Sequence, residues 1–149
     1  MMKLPHPEEK LAGCCWLPRL AAKTRCHVGG RLPFSYRIAF GSRVGIDGYF
    51  LRHFRLSMAQ VITAVQSAEN EEALATWFLQ QPGVSAERIA KWNERSVKLG
   101  AAGQRGYITR QIVRWVLYPK SYLHPCGTLF ELIAQDEGLE KPSQPPGPH

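Results

Sequence analysis

Two complete sets of helix start and stop signals lie back to back between Asn70 and Gly100. Asn70 can accept hydrogen bonds from the open amides of a first helical turn. Leu74, Trp77 and Phe78 then recur at a spacing that places them on one inward face, and Pro82-Gly83 closes the run. Ser85 caps the next helix. Val84 and Ile89 stand at the two ends of a hydrophobic staple, Ile89, Trp92 and Leu99 face inward, and Gly100 lies just past the end. A chain punctuated in this way folds as packed helices, with Trp77 and Trp92 expected in the core.

The same reading extends in both directions. Leu17, Leu20, Ala21, Thr24 and Val28 recur at helical spacing until Gly29-Gly30 supplies a stop. Asp47 is expected to cap a short helix reaching Phe54. Ser57 with Gln60 forms a capping box for another, whose Met58, Val61, Ile62 and Val65 share one face. Ile108, Ile112, Trp115 and Val116 predict a further buried stripe, and Thr128 with Glu131 predicts a last helix from Leu129 to about Asp136. Phe34, Tyr36, Ile38 and Phe40 alternate with Ser35, Arg37 and Ala39, the period of a strand with one buried face. The expected fold is therefore mainly α: a compact single-domain helical bundle with a short β-strand or hairpin near residues 33–44.

Length and composition agree with one domain. The 149 residues are 44% hydrophobic and 21% charged, too apolar for a disordered chain and too charged for a membrane span. A chain of this size buries roughly 70% of its unfolded surface, so neither metal nor cofactor nor disulfide is needed for stability. Residues 1–10 lack periodicity and are expected to be flexible, residues 11–140 to form the domain, and the proline-rich residues 141–149 to be a disordered tail. Glu8, Glu9 and two prolines stand where a secretory leader would be apolar. The expected compartment is the cytoplasm, and Cys14, Cys15, Cys26 and Cys126 are expected to be free thiols.

Charge is the strongest functional signal. Nineteen Lys and Arg oppose twelve Asp and Glu, a formal charge of +7. Residues 1–57 alone hold ten basic and three acidic side chains, and Asp47 is the only carboxylate between Lys10 and Glu69. Arg19 and Lys23 lie one turn apart and are expected on the polar face of the first helix. Arg31, Arg37 and Arg43 follow around the aromatic strand, with Arg52 and Arg55 on or near the Asp47 helix. Uncompensated positive charge of this kind favours an anionic partner, so these seven residues are the candidate anion-binding set, with Asp47 as a polar partner. The expected metal and cofactor content is none, since the cysteines and histidines occur as adjacent or one-apart pairs, not as the wider knuckles of a zinc site.

Other constellations are weaker. Arg88, Lys91, Arg95 and Lys98 form a basic stripe along the Ser85 helix. Glu87 and Glu94 precede Lys91 and Lys98 by four residues, a pairing that makes the stripe a solvated, salt-laced face. Gly41-Ser42-Arg43-Val44-Gly45 lacks the lysine-serine ending of a phosphate loop and reads as a turn.

Leu17-Pro18-Arg19 followed by Lys23 and Arg25, then Gly45 to Phe54 reading GIDGYFLRHF, then Ser85 to Asn93 reading SAERIAKWN, together resemble a bacterial family known as domain of unknown function 5069. The resemblance implies a small, mostly helical bacterial cytosolic protein and carries no activity with it. Ala22 departs from the family's pattern, which has an acidic residue before the lysine of the opening helix, so no role for a carboxylate at that place carries over.

Three functional classes follow. The first is a binding module whose basic amino-terminal half takes a phosphate-bearing small molecule or nucleic acid. The second is an enzyme in which arginines clamp a phosphorylated or carboxylated substrate while Asp47, Cys26 or a histidine moves protons. The third is a protein-interaction module presenting Phe34, Tyr36 and Phe40. A concave pocket with converging charge separates the first two from the third.

Overall fold

The computed structural model describes residues 4–33, 36–37, 40–41, 45–99, 130 and 133–134. Among them run a two-stranded antiparallel hairpin, β1 (Lys10–Leu11) and β2 (Cys14–Cys15), and five helices: α1 (Leu17–Val28), α2 (Ile46–His53), α3 (Met58–Ser67), α4 (Glu71–Leu79) and α5 (Ala86–Ser96). The fold is mainly α, as the periodicity predicts.

Most helix boundaries follow from their caps. The Ser57 hydroxyl accepts from the Gln60 amide while the Gln60 side chain accepts from the Ser57 amide, a closed capping box. Asn70 Oδ1 accepts from the Ala73 amide at 2.8 Å and Ser85 Oγ from the Arg88 amide at 3.2 Å. α1 ends at Gly29-Gly30 in a Schellman turn: the Arg31 amide bonds to the Cys26 carbonyl and the Gly30 amide to the His27 carbonyl, with Gly30 at φ 68°.

The β element is not where the alternation placed it. Tyr36 and Arg37 lie in a helical turn, their amides both bonded to the Pro33 carbonyl at 3.0 Å, and the Phe40 amide bonds to the Tyr36 carbonyl at 2.9 Å. Proline fits the start of a helical turn, because its φ is already helical and its missing N–H is not needed there. An alternating run also needs a partner strand, and among the described residues the only sheet is the hairpin at 10–15. That hairpin turns through Ala12 and Gly13 at φ 54° and 72°, the pair of positive torsions that lets a two-residue loop match the strand twist. Phe34, Ser35, Ile38, Ala39 and Arg43 lie outside the described residues, as do the expected stripe at 108–116 and the tail; of the last expected helix, Phe130, Ile133 and Ala134 are helical.

Residues 4–10 of the segment expected to be flexible pack on the body, with Leu4, His6 and Pro7 buried and the Pro7 carbonyl accepting the Trp16 amide at 3.1 Å. α1 packs on α3 and β1, α3 on α4, and α5 on β2 and α2. An aromatic cluster joins α2, α4 and α5: Phe50 and Phe54 lie 4.9 Å apart, Phe54 and Phe78 5.1 Å, Phe50 and Trp92 5.3 Å. Trp92 is buried as expected, whereas Trp77 is only half-buried because Leu74 and Phe78 take the centre of the inward stripe.

Asn93 fastens α5 to the hairpin, its Oδ1 accepting from the Cys15 amide at 2.9 Å and its Nδ2 donating to the Gly13 carbonyl at 2.8 Å. Trp92 Nε1 donates to the Cys15 carbonyl at 2.9 Å. At its other end α5 is brought up to α2 by Gly83, where a Cβ would stand 2.1 Å from the Phe54 carbonyl oxygen. The glycine is required for space, not torsion. Gly83→Ala is expected to cost at least about 2 kcal/mol, since backbone on both sides must move. Urea denaturation checks this; a loss under about 0.5 kcal/mol would show that the α4–α5 connection is not pressed against α2.

Candidate functional site

The candidate residues from the sequence separate into two groups. Arg19 and Lys23 are not on a polar face: they are 2% and 4% exposed. Asp47 is also buried, and it does not cap its helix. The N-cap of α2 is Gly45, and the Asp47 carboxylate accepts four hydrogen bonds from three donors instead of capping the helix. Lys23 Nζ lies 2.7 Å from each oxygen, Trp16 Nε1 2.8 Å from Oδ1, and the Gly41 amide 3.0 Å from Oδ2.

Around this pair the charge is further dispersed. Lys23 Nζ lies 4.8 Å from the Trp16 ring centroid and the Arg19 guanidinium 5.4 Å from it, while Phe130 stacks on the same indole at 5.5 Å. Arg19 Nη1 donates to the Pro5 carbonyl at 3.1 Å. Aromatic faces attract cations, and a carboxylate with every lone pair engaged recovers much of its lost hydration. Lys23 and Asp47 are thus a buried ion pair, and Arg19 joins them through the Trp16 ring and the Pro5 carbonyl.

Arg52 and Arg55 stand in a different setting. They emerge at the carboxyl end of α2 and line a cleft whose other wall is the basic stripe of α5. One lobe, about 520 Å³, is bordered by Tyr49, Arg52, His53, Trp92, Arg95, Lys98 and Leu99. A second, about 560 Å³, is bordered by Arg52, His53, Arg55, Ser85, Glu87, Arg88, Lys91 and Arg95. Arg52, His53 and Arg95 are common to both, so the two adjoin across these side chains as lobes of one cleft. Six cations line it against Glu87, the only carboxylate among the described lining residues.

The α5 stripe does form the expected helix-surface pairs, Lys91–Glu87 at 3.0 Å and Lys98–Glu94 at 3.8 Å. Both are largely exposed, and pairs of this kind hold by about 0.3–0.5 kcal/mol. They do not neutralise the face. Among the described residues Arg52, Arg55 and Arg95 have no carboxylate partner. Arg31 and Arg37 are exposed elsewhere, so the structure divides the expected set: two buried, two in the cleft, two apart, and Arg43 outside the described residues.

His53 joins the two walls. Its Nε2 lies 2.7 Å from the Arg88 carbonyl oxygen and therefore donates to it, while Arg88 Nη1 donates to the His53 carbonyl at 2.8 Å. The ring packs on Phe54 at 4.7 Å and Trp92 at 5.6 Å. Burial lowers its pKa from the ordinary 6.5, and the nearby charges of Arg95, Arg88 and Lys91 push the same way against the Arg88 hydrogen bond. Nothing in the local sequence marks His53, Tyr49 or Arg95 as neighbours; the convergence depends on the contact at Gly83. Cys14 and Cys15 are buried, and burial holds both thiols above their usual pKa, so neither is a ready nucleophile.

The molecule is a mainly helical protein with a buried lysine–aspartate pair at its centre and a cationic cleft at its side. It belongs to the family described as Domain of unknown function (DUF5069), which matches residues 3–139. No curated protein matches its sequence. The residues that carry the family resemblance include the buried network, Arg19, Lys23 and Asp47, and the hairpin anchors Trp92 and Asn93. No described helix is long and apolar enough to cross a membrane.

Two outcomes follow. Lys23→Met and Asp47→Asn should each cost about 3–5 kcal/mol, since each strands a buried partner. The double variant should lose less than their sum by about 1–3 kcal/mol; additive losses in denaturant titrations would show that the pair is not coupled. For His53 the unfolded chain binds more protons than the folded one below 6.5, so stability falls as pH drops through that value. His53→Gln should flatten the fall between pH of about 7.5 and 5.5; an unchanged slope would place the acid sensitivity elsewhere.

Proposed function

We propose that this protein binds a phosphate-bearing small molecule in the cleft around His53. One observation carries the reading: cations from the end of α2 and from α5 converge on a single concavity in which one carboxylate, itself paired to Lys91, is the only counter-charge among the described lining residues. Each lobe is of the size that small ligands occupy. Several like charges facing one concavity sum their attraction for an anion more than the same charges dispersed over open surface. In this reading Arg52 and Arg55 act with the α5 stripe, which its sequence pattern alone marks as a solvated face.

Calorimetric and thermal-shift titration with inorganic phosphate and simple phosphate esters tests this. A ligand at about a hundred times its Kd stabilises by roughly 2.7 kcal/mol. Arg52→Gln with Arg95→Gln should abolish the shift, while Arg25→Gln with Arg31→Gln, outside the cleft, should leave it intact. Equal loss in both double variants would mean only diffuse attraction to a basic protein. Preference for a single-stranded oligonucleotide, with a log affinity against log salt slope steeper than about −3, would favour nucleic acid instead.

A further inference from the structure

The two lobes of the cleft differ in chemistry, and one lining residue is held at a backbone cost. Every described residue of the Arg55 lobe is polar, whereas Tyr49, Trp92 and Leu99 give the other lobe an apolar wall. The Arg52 guanidinium, common to both lobes, lies over the Tyr49 ring, 5.1 Å from its centroid. A ligand carrying charge alone would have no use for that wall.

The cost falls on Arg55. α2 ends in the same Schellman turn as α1: the Leu56 amide bonds to the Leu51 carbonyl at 2.9 Å and the Arg55 amide to the Arg52 carbonyl at 3.3 Å. The turn needs one residue in the left-handed region, where a Cβ crowds the backbone and glycine is the usual occupant. In α1 that residue is Gly30 at φ 68°; in α2 it is Arg55 at φ 54°. The fold therefore accepts glycine at this station in one helix and carries a strained arginine in the other. The helix dipole favours a cation at this end but does not call for the left-handed torsion, since Arg52 offers the same charge from within the helix; the exposed Arg55 side chain borders the polar lobe beside Ser85 and Arg88. The Arg55 Cβ lies at the Gly83 contact while the rest of the side chain lines the lobe, and strain held in a residue that borders a concavity is a mark of a binding position.

We infer that the ligand is a phosphate monoester of an aromatic or otherwise planar apolar alcohol, its phosphate held in the Arg55 lobe and its organic part against Tyr49 in the other. This rests on the anion-binding reading above and adds to it the ligand's second half and its orientation. The phosphate lies within reach of Arg55, Arg88 and Lys91 at the amino-terminal end of α5, whose dipole also favours negative charge. Arg52 and Arg95, which line both lobes, contact the ester end of the phosphate. The organic group displaces water from the apolar wall, a gain that inorganic phosphate cannot make.

The test compares three probes by calorimetry on the full-length protein: inorganic phosphate, 1-naphthyl phosphate and 1-naphthol. Naphthyl phosphate should bind at least about tenfold more tightly than inorganic phosphate, the worth of one partly buried ring. Naphthol alone should bind weakly. Tyr49→Ala should weaken naphthyl phosphate more than inorganic phosphate and so close most of the gap between the two. Arg55→Gly should weaken both phosphates by about tenfold and, by relieving the torsion, raise the melting temperature by a few degrees. Equal affinity for the two phosphates, or an Arg55→Gly variant that melts lower or binds as well as wild type, overturns this inference and leaves simple anion binding standing. Failure of both phosphates to bind overturns the anion-binding reading itself.

Discussion

Asp47 is the point from which the placement of the helices follows. Its two oxygens accept four hydrogen bonds from three donors: Lys23 on α1, Trp16 at the entry to α1, and the Gly41 amide ahead of α2. A buried carboxylate that loses one of these partners costs more than most single hydrophobic contacts supply, so α1 and α2 have one permitted relation. With α2 so oriented, Phe50 and Phe54 meet Phe78 and Trp92, and the carboxyl end of α2 comes to rest against Gly83. The cleft is a consequence of that chain of contacts and is not built by any one segment.

Helix electrostatics explains part of the cleft's charge and leaves part unexplained by folding. Arg52, His53 and Arg55 lie at the carboxyl end of α2, where partial negative charge stabilises cations by about 0.3–1 kcal/mol. Arg88 lies near the amino end of α5, where the dipole opposes it, and its guanidinium is engaged on the His53 carbonyl. The cations of the two helices also repel one another across the cleft, which burial of the His53 ring makes worse by excluding water. An anion in the cleft relieves both the repulsion and the misplaced dipole, which is why a ligand is the economical explanation of the arrangement.

Much of the fold was legible because the signals were local. Ser57, Asn70 and Ser85 cap the helices their spacing assigns them, and Gly29-Gly30 stops α1. The errors occurred where a long-range partner overrides a local preference. Arg19 and Lys23 read as surface residues because Lys and Arg are almost never buried unpaired, and their partners are distant in sequence. Asp47 read as a cap because a carboxylate in a first turn commonly is one; a lysine on another helix claims it instead. Tyr36 and Phe40 alternate like strand residues, yet Pro33 begins a helical turn and Phe40 finds the His27 ring at 4.8 Å. The candidate site was half legible. Arg52 and Arg55 stood out by their lack of acidic neighbours, while Arg88 and Arg95 were masked by glutamates adjacent in sequence, which among the described residues pair with Lys91 and Lys98 instead.

The most direct test of the account is to find where phosphate sits. The arginine side-chain Nε–H resonances of the uniformly nitrogen-15-labelled protein, followed by NMR as inorganic phosphate is added, report each guanidinium separately. The account predicts saturable shifts at Arg52, Arg55, Arg88 and Arg95, with Arg25 and Arg31 unmoved. Shifts centred on Arg25 and Arg31, or small linear shifts spread over every exposed arginine, would contradict it.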